Sequence, residues 1–162
     1  SVKIVERGDN SILAEPCDIV SPNATGAILG PQTIPTIRAR IGCGAANNQL
    51  EDPNRDDALL AEAGVVYLPD FLVNRMGIVA VADEACGSLA VDPIVEEHLG
   101  DEWDNSVFNL SLEVLEKARQ SSRTPAQVAL ELAEQRSFEK HPLFGHRGVQ
   151  IIGSLAASDW AS

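Results

Sequence analysis

Apolar and polar positions follow two different periods along this chain. In the first half, short apolar runs at residues 17–20, 40–44 and 65–68 are bounded by Pro, Gly and Asn, the signature of brief strands between turns. Residues 2–5 form a further candidate strand. Helical pieces are expected at residues 26–29 and 32–40, limited by Pro31 and Pro35. Residues 40–44 consist largely of small residues, which suits a buried strand with helices packed on both faces. Asp52-Pro53 marks a turn before a helix over 55–63, with Gly64 as its C-terminal cap. The strand at 65–68 is stopped by Pro69.

Beyond Gly77 the spacing becomes helical. Residues 78–90 predict an apolar helix, and residues 101–121 a longer amphipathic one. In the latter, Phe108, Leu112 and Leu115 make a stripe that Val107, Leu110, Val114 and Ala118 widen. Thr124-Pro125-Ala126-Gln127 is a capping box with Pro at the first helical position, opening a helix to about Phe138. The tail from Glu139 is Gly-rich, then apolar at 149–155, and receives no assignment. Strands alternating with helices argue for a parallel α/β sheet. Three or four strands are about half of a full doubly wound domain, which has about six. The expected fold is therefore the second half of a Rossmann-like doubly wound parallel sheet followed by C-terminal helices. The α/β half covers residues 1–75, and the helical region 76–162 is expected to pack on it as one structural domain.

Composition narrows the function classes. The 162 residues suffice for one domain, and with aromatics at 4% its core must be aliphatic. The net charge of −12 comes with no basic stripe to neutralise phosphates, so no nucleic-acid partner is expected. No run approaches the ~18 apolar residues a membrane span needs. The start does not resemble a signal peptide, and a cytoplasmic location is expected. Cys17, Cys43 and Cys86 are odd in number and widely spaced, which suggests no disulfide framework. Cys17 and Cys43 are expected to be small buried hydrophobes. His141 and His146 lack a partner at ligand spacing, so no metal site is expected. Glu96, Glu97, Asp101 and Glu102 read as a solvated run around a helix start.

In open parallel sheets, ligands sit at the carboxyl ends of the strands. Three segments leave such ends here: residues 21–26, 44–49 and 69–77. Each carries an amide side chain: Asn23, the pair Asn47 and Asn48, and Asn74. An amide donates and accepts at once, which suits ribose hydroxyls and a carboxamide, and neighbouring Ala and Gly allow close approach of a flat ring.

The order of these words resembles the NAD-binding C-terminal domain of the Glu/Leu/Phe/Val dehydrogenase family, in its leucine and phenylalanine dehydrogenase branch. Asp18-Ile-Val-Ser-Pro22, Gln32-Thr-Ile-Pro35, Gly44-Ala-Ala-Asn-Asn-Gln-Leu50, Val66-Tyr-Leu-Pro-Asp70 and Val81-Ala-Asp-Glu84 carry the likeness, which spans residues 17–84. The resemblance implies oxidative deamination of an L-amino acid to a 2-oxo acid and ammonia with NAD, NADP not being excluded. It places Asn23 and Ala24 beside the cofactor and Ala46, Asn47 and Asn48 at the nicotinamide ribose. It puts Asn74 where nicotinamide and substrate meet, and Ile78 and Val81 in an aliphatic side-chain pocket.

The chain also departs from the family. The usual Asn-Ala-Gly-Gly turn reads Asn74-Arg75-Met76-Gly77, which brings a long side chain and a cation that is expected to face solvent. The usual Pro-Cys-Ala reads Pro22-Asn23-Ala24, and Ala80 replaces an Asn. The family's Gly-rich phosphate turn and its catalytic Lys and Asp have no match, since Lys3, Lys117 and Lys140 lie in no suitable motif. The expected reading is a fragment of a longer dehydrogenase, inactive alone, with no catalytic residue of its own. The alternative is a non-catalytic module derived from such an enzyme that binds or assembles. Half a doubly wound sheet exposes an edge, so self-association to a homo-oligomer is also expected.

Overall fold

The structure, a computed structural model, describes residues 2–86 and 93–138. The chain divides into two compact units, residues 1–129 and 130–162. In the first unit three short strands, β1 (Ile19–Val20), β2 (Ile41–Gly42) and β3 (Val66–Tyr67), form a parallel sheet in the order β1-β2-β3. Ile19 is in register with Ile41 and Ile41 with Val66; Val20, Gly42 and Tyr67 form the next row.

The helices are α1 (Pro53–Glu62), α2 (Asp70–Val73), α3 (Met76–Cys86), α4 (Pro93–Glu97), α5 (Val107–Gln120) and α6 (Pro125–Ser137). Local chemistry sets several of their ends. Asp52 caps α1 by accepting from the Asn54 N–H at 3.0 Å, with Pro53 at the first position. Gly64, at φ +76°, turns the chain out of α1 into β3. Ser106, fully buried, caps α5 through the Asn109 N–H. The capping box of α6 forms as expected: the Thr124 hydroxyl accepts from the Gln127 N–H at 3.3 Å, and the Gln127 amide oxygen accepts from the Thr124 N–H at 3.2 Å.

The core lies on one face of the sheet. Leu29, Ile34, Leu50, Leu60, Val65 and Tyr67 pack together there, with a smaller group of Leu13, Val20 and Ala39 beside them. α1 lies against β3 and against the 3-10 turn Ile34–Thr36. On the other face Ile19, Ile41 and Val66 form an aligned row that is 54%, 38% and 45% exposed. The expectation of helices on both faces of the 40–44 strand is thus corrected within this unit.

Other elements differ from the pattern reading. Residues 2–5 are not a strand: Val2 and Ile4 are exposed and the chain there is irregular. Residues 26–29 are not helical either. They bend at Ala27, which is left-handed at φ +53°, and pass beside residues 48–51, with a parallel bridge between Leu29 and Leu50 and bonds from the Ala27 N–H to Asn48 O and the Leu29 N–H to Gln49 O. Only Ile34–Thr36 of the expected 32–40 helix winds, and then as a single 3-10 turn. Residues 101–106 are turns rather than the first part of α5. Within α5 the buried positions are Leu110 and Val114, whereas Phe108 and Leu112 face outward. Of the exposed acidic residues, Glu96 and Glu97 are the last residues of α4 and Asp101 and Glu102 follow it, so the run straddles a helix end rather than a helix start. Cys17 is exposed and Cys43 half-buried, which corrects the expectation for both. Burial raises the Cys43 thiol above its ordinary value. The end of the predicted 78–90 helix, His141, His146 and the 149–155 tail lie outside the described residues.

Candidate functional site

Because the three strands are parallel, residues 21–26, 43–50 and 68–75 all leave the same edge of the sheet. Two close approaches and two hydrogen bonds lock the first two of these segments together. A Cβ on Gly44 would lie 2.2 Å from the Pro22 carbonyl oxygen, and one on Gly26 would lie 2.7 Å from the Asn47 carbonyl oxygen. The Ala46 N–H donates to Pro22 O at 3.0 Å, and the Ala45 N–H donates to the Asn23 side-chain oxygen at 2.8 Å. The Asn23 amide nitrogen in turn donates to the Ser21 carbonyl and hydroxyl. The Asn23 amide therefore braces one loop against the next.

A cleft of about 410 Å³ opens where β2 and β3 end. Its polar side carries Asn47, Asn48 and Asn74, and the Asn74 amide donates to the Asn47 side-chain oxygen. Its apolar side is made by Leu50, Pro53, Tyr67, Pro69 and Phe71, with Ile78 and Ala126 at the margins. Asn48 adopts φ +52°, a left-handed conformation that Asn tolerates better than most residues. The Tyr67 ring is buried, and desolvation followed by the nearby Asp70 carboxylate pushes its phenol above the ordinary range, so it stays protonated. The Asp70 carboxylate accepts from its own helix at the Phe71 N–H and, at 3.4 Å, from the Gln49 N–H.

The sequence-expected positions separate into two groups. Asn47, Asn48, Asn74 and Ile78 meet at this cleft. Asn23 and Ala24 line a different groove of about 430 Å³ beside the free side of β1, together with Cys17 and Ile19. Ala46 is buried within its loop, and Val81 is 66% exposed and outside the cleft lining. Arg75 does not face solvent. It donates to the Asn105 carbonyl and ties the start of α3 to the turn before α5. Met76 is half-buried and likewise outside the cleft lining, so the altered turn leaves the cleft open. Gln49, Tyr67 and Phe71 were not singled out in sequence. Gln49 and Tyr67 do lie inside the strand-end words, and an apolar or amide residue directly after the Asn pair is the signal for them.

Among the described residues no group of three or more His, Cys, Asp or Glu is placed to hold a metal ion, and no helix is long and apolar enough to cross a membrane.

A three-stranded parallel sheet whose strand-end loops build an amide-edged cleft defines part of a Rossmann-like α/β domain. No family model matches the chain. It is 35% identical over 142 residues to a valine dehydrogenase of Streptomyces coelicolor, covering 88% of this chain and 37% of that protein. It is 44% identical over 78 residues to a leucine dehydrogenase of Geobacillus stearothermophilus, covering 48% and 21%. The structure of L-tryptophan dehydrogenase from Nostoc punctiforme superposes with a TM-score of 0.70 at 32% identity, over 79% of this chain and 36% of that one. The chain belongs to the Glu/Leu/Phe/Val dehydrogenase family. It spans just over a third of the length of the valine dehydrogenase it matches. The likeness reaches past residues 17–84, since 142 residues align with the valine dehydrogenase.

Proposed function

We propose that this chain supplies the nicotinamide side of the cofactor cleft in an NAD-dependent amino-acid dehydrogenase that converts an L-amino acid to a 2-oxo acid and ammonia. The observation that carries the reading is the Asn47–Asn74 amide pair set beside an apolar floor of Leu50, Tyr67 and Phe71. With one amide N–H spent on that pair, the two side chains retain donors and an acceptor for ribose hydroxyls and a carboxamide. The floor accommodates a flat ring. The bound cofactor would take a hydride from the substrate's α-carbon. The chain's own residues bind and orient the ring: Asn47, Asn48 and Asn74 hold its polar side, and Phe71 and Leu50 exclude water beneath it. Ile78 at the margin supports an aliphatic substrate side chain. The dinucleotide is NAD rather than NADP in this reading, and self-association through the free side of β1 belongs to it, supported by the exposed Ile19.

The test is amino-acid-dependent reduction of NAD, and of NADP in parallel, by the protein expressed from its complete reading frame. Turnover with branched aliphatic amino acids is expected. Dinucleotide binding with no turnover on a full amino-acid panel overturns the catalytic part of this reading, and no binding at millimolar dinucleotide overturns it whole and favours the non-catalytic binding or assembly module.

A further inference from the structure

We infer that Gln49 is a positioning residue, a buried strut that holds the Asn47–Asn48 turn in its binding shape without touching the ligand. The inference rests on the cleft reading above for its consequence in binding, but its structural part stands apart from it. Gln49 is completely buried. Its side-chain amide donates to the Gly44 carbonyl at 2.7 Å and to the Ala46 carbonyl at 2.9 Å. Among the described residues, the 44–49 loop closes on itself through no backbone hydrogen bond; its backbone bonds run outward to Pro22, Ala27 and Leu29. One side chain thus does what a helical turn's own N–H groups would do. The orientation of this amide is fixed by its surroundings, because the reverse orientation would set its oxygen against two carbonyl oxygens.

The turn needs such a strut. Asn48 is held left-handed, at a cost that neighbouring contacts must offset. Asn47, one residue earlier, receives the Asn74 amide. Displacing the turn therefore moves Asn47 and Asn48 directly and removes the partner of Asn74. No other common side chain substitutes. Met has the length but no donor, so two carbonyls lose their buried partner. Glu presents an acceptor to acceptors. Asn is one methylene short of the Gly44 carbonyl.

Two variants test this, Gln49→Met and Gln49→Glu. Amide hydrogen exchange on the chain needs no ligand. At residues 45 and 46, whose N–H groups are bonded to Asn23 and Pro22, exchange is expected to rise about tenfold in both variants, while residues 41 and 66 keep wild-type protection. In Gln49→Glu the change shrinks on acidification, since a neutral carboxyl again donates. Equal exchange at 45 and 46 in wild type and both variants overturns the strut, whatever the protein binds. In the protein from its complete reading frame, NAD affinity is expected to fall ~10-fold or more with AMP affinity unchanged. Equal loss for NAD and AMP, or no loss for either, overturns the positioning role. If the wild type binds no dinucleotide, the proposed function fails, and the exchange result alone decides on Gln49.

Discussion

Gly44→Ala probes the interlocking of the strand-end loops most directly. The new Cβ would stand 2.2 Å from the Pro22 oxygen, 2.6 Å from its nitrogen and 2.8 Å from its carbonyl carbon. Unstrained contacts between heavy atoms lie near 3.5 Å, so the Pro22 backbone must retreat by about 1 Å. That retreat stretches the bond from the Ala46 N–H to Pro22 O, now 3.0 Å, and the one from the Ala45 N–H to Asn23, now 2.8 Å. Each bond is worth about 1 kcal/mol. Overpacking against backbone adds about 1–3 kcal/mol, and the stiffer unfolded chain returns about 0.5–1 kcal/mol. A net loss of about 2–4 kcal/mol follows, against a typical domain stability of about 5–15 kcal/mol. Urea unfolding followed by far-ultraviolet circular dichroism measures it, and the thermal midpoint should drop by roughly 10 °C. Gly77→Ala is the matched control: its Cβ meets nothing within 4 Å and it lies inside α3. It should stabilise by up to about 1 kcal/mol. If Gly44→Ala costs less than about 1 kcal/mol, Pro22 and Gly44 do not pack in solution as described, and the reasoning is wrong.

Two further outcomes are expected. Thr124→Ala removes a hydroxyl that donates to the buried Asp57 carboxylate and accepts from the Gln127 N–H, and should cost about 1–3 kcal/mol by denaturant unfolding, with Thr124→Ser recovering most of it. The Arg55 guanidinium, followed by backbone N–H donors of residues 51 and 52, holds the Asp56 carboxyl below its ordinary value. The unfolded chain therefore binds this proton more readily than the folded one. The contribution is full above the unfolded carboxyl value of about 4 and is lost as pH falls through the depressed folded value. Asp56→Asn should flatten that acid limb in a series of stability measurements across pH.

The parallel sheet and the helices with chemical end signals were legible in the sequence. Asp52-Pro53 and Gly64 bracket α1, and Thr124-Pro125 with Gln127 opens α6, because capping is a local exchange between neighbouring groups. What failed depended on partners distant in sequence. Residues 26–29 look helical alone, but the Ala27 and Leu29 N–H groups are taken by the carbonyls of residues 48 and 49. In α5 the periodicity was readable but its phase was not: the face toward α2 centres on Leu110 and Val114, and spacing alone cannot select between adjacent stripes. The amides showed the same division. Asn47 and Asn74 meet at the cleft, while Asn23 spends its amide on the Ala45 N–H, a partner 22 residues away.

The carboxyl edge also determines how this protein can be recombined with its relatives. Pro22 over Gly44, Gly26 over the Asn47 carbonyl, and the ladder from Ala27 to Glu51 join residues 21–29 and 42–51 into one lamina. A graft that swaps only one of these segments inherits mismatched halves of every one of those contacts. Exchange of both segments together preserves them, whatever is changed in α3 or α5. The unit of inheritance at this cleft is therefore a pair of segments, and chimaeras cut between Gly30 and Arg40 should fail more often than those cut after Asp52.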